Sequence, residues 1–148
     1  MGLGTGRRAL QARRIVHVAD LYHPVRRIDP HVRAYARALH YDLAGLARVR
    51  AAANAVGVKI MADEALLDHA SLIDIIRAGA ADMVKVKVMK QGGFLHTRRM
   101  IATAEAAGMK CVVGHGFGLG VNTMAEIMLA ATSTNVIDGL ECVGPLKT

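Results

Sequence analysis

The chain has 148 residues, of which 53% are hydrophobic and 21% charged, with a mean hydropathy of +0.29. These values fit one folded domain and exclude intrinsic disorder. The net charge of +7 resides wholly in residues 1–50, which hold ten Arg and three acids; the remainder is neutral.

Residues 1–34 show no clear period. Pro24 and Pro30 interrupt the stretch, and Gly2, Gly4 and Gly6 loosen its start. An irregular basic arm over 1–40 is the expectation, followed by one domain over 41–148. Near Asp42 order begins. Asp42 can cap a helix whose apolar positions Leu43, Leu46, Val49 and Ala53 recur at helical spacing, with Gly57 closing it. Val58–Ala62 reads as a buried strand, ended by Asp63 and Glu64. Ser71 is expected to cap a second helix that carries Leu72, Ile73, Ile75 and Ile76 and stops at Gly79. Met83–Val88 is a second strand, followed by Gly92-Gly93 and a helix from about Leu95 to Ala107. Lys110–Val113 is a third strand, leading into the glycine-rich loop 114–120. A helix over about Asn122–Ala131 and a fourth strand over Val136–Cys142 complete the pattern.

The strand ends keep a beat: Asp63 to Lys87 is 24 residues, Lys87 to His115 is 28 and His115 to Glu141 is 26. Repeated β-α units with apolar strands predict a parallel sheet covered by helices. Polar residues follow each strand, at the edge where parallel α/β folds bind ligands.

The aromatic content is 3% with no Trp, so the core must be aliphatic, with eight Met among it. Two cysteines, Cys111 and Cys142, cannot build a disulfide framework, and a reducing cytoplasm is the default. Both fall in apolar strands, where burial makes an inert thiol. No apolar run reaches the roughly 18–20 residues of a membrane span. The basic start lacks the apolar stretch of a secretory signal.

Several residues could carry chemistry. Asp63 and Glu64 are hard oxygen ligands of the kind Mg²⁺ takes, or a helix-capping Asp beside a surface Glu. Lys85 and Lys87 lie two apart and share a strand face. Inside a buried strand they would be paired or functional, with a pKa lowered by burial or a nearby cation; on an edge strand they would be solvated. His115, between two glycines, could act as an acid or base, or be a plain loop histidine. The loop 114–120 lacks the Lys-Ser/Thr ending of a P-loop and the glycine spacing of a dinucleotide fold. Glu141 is either a satisfied buried carboxylate or a catalytic one.

Lys59–Glu64, Ala81–Gly93 and Gly139–Leu146 together resemble the fifth, sixth and eighth strands of the enolase superfamily, in its muconate-lactonizing branch; residues 42–50 resemble the helix before the fifth strand. The resemblance covers about 42–148. It implies an α/β fold, a partial TIM-type (β/α) barrel of about four β-α units corresponding to strands five to eight. It also implies a divalent-metal-dependent isomerase or lyase that removes a proton alpha to a carboxylate, as racemases, cycloisomerases and dehydratases of the superfamily do. Carried over by position, Asp63 matches a ligand for Mg²⁺ (or Mn²⁺) and Lys87 the sixth-strand acid/base. Glu64 and Glu141 would brace the site. His115 lies where the mandelate-racemase branch places a histidine.

The match also has departures. Only the fifth-strand ligand is recognisable, and Tyr35-Ala36-Arg37 stands where a fourth-strand Glu would be expected. A full barrel takes about 250 residues. The charge split, the boundary near residue 42 and the missing ligand strands together suggest a truncated or frame-disrupted descendant. The expected partners are a small carboxylate substrate and further copies of the chain, through open barrel edges. A membrane partner is not expected. A non-catalytic remnant is the rival reading, and a basic nucleic-acid-binding arm a third.

Overall fold

The computed structural model describes the backbone of Ile15–His17 and residues 42–116 and 118–137. Four strands form one parallel sheet in sequence order: β1 (Ile15–His17), β2 (Lys59–Ala62), β3 (Met83–Val86) and β4 (Lys110–Val113). Four helices accompany them among the described residues: α1 (Leu43–Ala55), α2 (His69–Ala78), α3 (Phe94–Ala106) and α4 (Gly120–Ala130). Sequential parallel strands joined by helices are the β-α repeat that the sequence beat predicts.

Each of β2, β3 and β4 has its last three residues buried, as strands with both faces covered require. Ile60, Ala62, Val84, Val86, Cys111 and Val113 point to the helices, where they join Leu46, Leu72, Ile75, Met100, Ile101 and Leu129 in one aliphatic core. The alternate residues Met61, Lys85 and Val112 are also buried but on the opposite face, the side a barrel would enclose. Register pairs Ala62 with Val84 and Lys85 with Val112, so Asp63, one step past Ala62, arrives beside Lys85.

Local chemistry sets the helix starts. Asp42 caps α1 by accepting from the Gly45 N–H at 2.8 Å, as expected. The cap of α2 is Asp68 rather than Ser71. Asp68 accepts from the Ser71 N–H, and the Ser71 hydroxyl accepts from the Asp68 N–H, both at 2.8 Å. This reciprocal box moves the helix start three residues earlier than a lone serine cap would. Gly93 precedes α3 with φ of 103°, a value that excludes an ordinary side chain.

Three further differences concern strands. β1 falls in the stretch where no element is expected, pairing Ile15, Val16 and His17 with Lys59, Ile60 and Met61. β3 stops at Val86, which puts Lys87 in the turn just beyond the strand end. Of the expected fourth strand, Val136 makes a parallel bridge to Cys111, while Glu141 and Cys142 lie outside the described residues.

Candidate functional site

The C-terminal ends of β2 and β3 bring Asp63, Glu64, Lys85, Lys87 and Lys90 into one charged cluster. The Lys87 ammonium stands 2.7 Å from Asp63 Oδ1 and 3.1 Å from Glu64 Oε1. Lys90 reaches Glu64 Oε2 and the Asp63 carbonyl, each at 3.0 Å. Lys85 Nζ lies 3.8 Å from Asp63 Oδ2, and both side chains are under a tenth exposed. The solvated edge-strand reading of Lys85 is thereby excluded: it lies buried inside the sheet's second face.

Gln91, also buried, fixes the turn that carries Lys87. Its carbonyl accepts from the Lys87 N–H, and its amide donates to the Leu66 carbonyl at 3.1 Å. The two strand-end loops are thus tied together, which holds Lys87 against Asp63. A glutamine four residues after a strand-end lysine looks like surface in the sequence, and its role depends on Leu66, 25 residues away.

The electrostatics correct one expectation. Burial alone pushes the Lys87 ammonium toward a lower pKa, but the hydrogen bonds and charges of Asp63 and Glu64 outweigh it and raise the value above the ordinary lysine range. For Glu64, burial pushes upward while the Lys90 and Lys87 ammoniums pull harder, leaving its carboxyl below the usual range. In this arrangement Lys87 is an ammonium at neutral pH, not a free base.

Asp63 is the one expected metal ligand of the described residues. Hard divalent cations take six or more oxygen donors, commonly from more than one carboxylate. Among the described residues no three His, Cys, Asp or Glu side chains converge to hold an ion, and Asp63 faces three lysines. This donor set does not by itself fit a divalent cation site.

His115 lies just past β4 and is not a plain loop histidine. Its Nδ1 stands 2.8 Å from Glu126 Oε2, with both side chains buried. Glu126 Oε1 accepts from the Gly116 N–H at 3.2 Å and from Asn122 Nδ2 at 2.6 Å. Sequence reasoning missed Glu126, which reads as an ordinary helix carboxylate. The visible signal is its i,i+4 spacing from Asn122 behind a glycine-rich loop.

That loop's glycines make room rather than cradle a phosphate. A Cβ on Gly114 would stand 2.4 Å from Lys85 Cε, and one on Gly118 2.3 Å from Asn122 Cβ. Lys85 therefore crosses the backbone immediately before His115. Cys111, fully buried, has its thiol pushed up to about 12 by desolvation, which makes it the inert thiol expected.

At the opposite ends of the strands, Asp82 accepts from the Ile60 N–H at 2.9 Å, Arg50 Nε at 3.0 Å and Asn54 Nδ2 at 3.1 Å. A cavity of about 410 Å³ opens there, lined in part by Arg50, Lys59, Asp82 and Lys110. In barrel folds this face serves stability, while the C-terminal face carries chemistry.

A parallel sheet with helices outside and a lysine–carboxylate cluster at its C-terminal edge defines one segment of a (β/α) barrel. Residues 25–145 match the model of the enolase C-terminal domain-like family, and the chain belongs to that family. It is 33% identical over 95 residues to the L-Ala-D/L-Glu epimerase of Bacillus subtilis, covering 64% of this chain and 25% of that protein. It is 33% identical over 106 residues to the N-succinyl-L-Arg/Lys racemase of Bacillus cereus, covering 72% of this chain and 28% of the relative. Among solved structures it resembles the muconate lactonizing enzyme of Pseudomonas putida, with a TM-score of 0.67 and 27% identity over 72% of this chain and 29% of the other. The chain thus spans about a quarter of the length of the relatives it matches. The relatives it matches are themselves racemases, epimerases and cycloisomerases. Among the described residues no helix is long and apolar enough to cross a membrane.

Proposed function

We propose that this chain supplies one side of an isomerase site that moves a proton alpha to a small substrate's carboxylate, with Lys87 and His115 as the proton-handling groups. The observation that carries the reading is the placement of Lys87, 2.7 Å from Asp63 at the C-terminal edge of the sheet. Lys87 would give or take the α-proton, and Asp63 and Glu64 would set its charge. Buried ammonium groups beside the reacting centre would favour the negative charge that develops as the proton leaves. Glu141 keeps the bracing role the resemblance implies for it.

The deciding test is deuterium wash-in. The chain is incubated in D₂O with small amino-acid carboxylates, N-acylated amino acids and dipeptides, with and without Mg²⁺ or Mn²⁺, and the α-proton is followed by NMR. Exchange that Lys87→Met abolishes supports the reading. No exchange with any of these substrates defeats it.

The rival reading, a fold that no longer catalyses, is favoured by the donor set around Asp63, where among the described residues no three His, Cys, Asp or Glu side chains converge. Calorimetric titration with Mg²⁺ and Mn²⁺ beside Asp63→Asn separates the two. Binding that the substitution removes means that ligands from elsewhere complete the site. Absent or indifferent binding means that the chain holds no cation there. Self-association through the sheet's outer edges belongs to the same proposal, and light scattering of the purified chain should give a mass above 15.7 kDa.

A further inference from the structure

We infer that Glu126 is a positioning residue that fixes the tautomer of His115, so that Nδ1 carries the proton and Nε2 is the basic nitrogen of the ring. The inference rests on the proposed role of His115, but its structural half stands on geometry alone. Glu126 Oε2 meets His115 Nδ1 at 2.8 Å, and its other oxygen receives two donors, the Gly116 N–H and the Asn122 amide. As a carboxylate, Glu126 only accepts, so Oε2 receives its hydrogen bond from Nδ1–H. In a neutral imidazole, a proton on Nδ1 leaves Nε2 as the acceptor. The same logic governs a histidine braced by a buried carboxylate in acid–base sites on unrelated folds.

The glycine-rich loop is part of this device. Asn122 sits one turn before Glu126 on α4, and its 2.6 Å contact aims the carboxylate. Only glycine at position 118 lets Asn122 lie where it does, since a Cβ there would stand 2.3 Å from Asn122 Cβ. The order of action runs from Gly118 to Asn122, then to Glu126, then to the ring of His115. None of these three residues needs to touch a substrate.

Glu126→Gln gives a sharp test because it preserves shape while changing one hydrogen. The Gly116 N–H and Asn122 amide both donate to one side of residue 126, so the glutamine carbonyl oxygen must stay there. Its NH₂ then faces His115 Nδ1, which must turn acceptor. The tautomer should invert. The measurement is a long-range ¹H–¹⁵N correlation spectrum of the ¹⁵N-labelled full chain above the histidine titration range. In the unsubstituted protein, His115 Nδ1 should show the protonated-type shift and Nε2 the pyridine-type shift, and in Glu126→Gln the two should exchange. An Nε2–H tautomer in the unsubstituted protein overturns the inference without any variant. An unchanged tautomer in Glu126→Gln overturns it as well. Should that variant not fold, Glu126→Ala serves: a mixture of tautomers supports the inference and a single Nδ1–H form defeats it.

Deuterium wash-in completes the test and separates the two claims. Where the chain exchanges substrate protons, Glu126→Gln should lower the rate at least tenfold with KM unchanged, and Glu126→Asp should recover part of the loss. A rate unaffected by an inverted tautomer would overturn the functional half. Where the chain exchanges nothing, the proposed function fails, and the spectra alone decide the positioning claim.

Discussion

Replacing Asp82 by alanine should destabilise the domain by about 2–4 kcal/mol while leaving the strand-end cluster intact. The Asp82 side chain is 7% exposed and holds four donors: Ile60 N, Arg50 Nε, Asn54 Nδ2 and, at 3.4 Å, Lys59 Nζ. Removing the carboxylate strands the N–H of Ile60, a residue only 2% exposed, and an orphaned buried donor costs about 1–3 kcal/mol. Arg50 retains its bond to the Gly79 carbonyl at 3.0 Å and is a third exposed, so its share is about 1 kcal/mol. Lys59, more than half exposed, adds little. With a urea slope of about 1–3 kcal/mol per molar, the midpoint should fall by roughly 0.7–4 M. Asp82→Asn keeps an acceptor for Ile60 and should lose about half as much. The pH dependence has a definite sign. Burial pushes the Asp82 carboxyl up, but the Ile60, Asn54 and Arg50 bonds outweigh it and hold its folded pKa below the ordinary range. The stabilisation is therefore complete above the unfolded carboxyl value, near about 3.9, and is lost as pH falls below it. Asp82→Ala should show a flatter acid limb. A midpoint shift equivalent to less than about 1 kcal/mol would refute the account of this face as a buried tie between α1, β2 and β3.

Gly114→Ala should disturb β4 and the His115 loop, because the new methyl would meet the Lys85 stem at 2.4 Å; thermal unfolding should shift down while Gly93→Ala shifts through backbone strain instead. Leu72→Ala, at a site with no exposed surface between α2 and the sheet, should cost about 2–5 kcal/mol in urea unfolding. Cys111 should resist a thiol reagent in the folded chain at pH 8 and react only once denaturant exposes it; fast native labelling would contradict its burial.

The β-α beat was legible because strands covered on both faces must be largely apolar, and Ile60–Ala62 and Cys111–Val113 carry that mark, as do Val84 and Val86 on either side of Lys85. The cluster of Asp63 with Lys87 was legible as a pair of strand-end residues, although its sign was not. The lysine pKa depends on two carboxylates from a neighbouring strand, 23 and 24 residues earlier, which spacing alone cannot weigh against burial. β1 was hidden because three residues between Arg13-Arg14 and Asp20 have no room for a period. Glu126 was hidden for the opposite reason. It lies on a helix whose exposed positions Val121, Met124 and Met128 are apolar, so hydrophobicity gives no hint that the one carboxylate faces inward.

The charge on Lys87 decides how the proposed chemistry must depend on pH. Desolvation favours its neutral form, yet Asp63 and Glu64 together reverse the balance and raise its pKa above the ordinary lysine value of about 10.5. As a base, Lys87 is active only in the deprotonated fraction, so exchange that uses it as acceptor should climb with pH through the alkaline range. Used as an acid, the same group works across the neutral range and fades only as pH passes its raised pKa. Glu64→Gln discriminates between these roles, since it removes one of the two carboxylates that raise the value and leaves Asp63 at 2.7 Å. With Lys87 as base, the rising limb of the exchange profile should move to lower pH and the neutral-pH rate should increase. With Lys87 as acid, the falling limb should move to lower pH while the neutral rate is unchanged. A profile that does not move in either direction would mean that the proton passes through another group, and the short contact between Lys87 and the carboxylates would then be an ion pair that serves only to close the ends of β2 and β3.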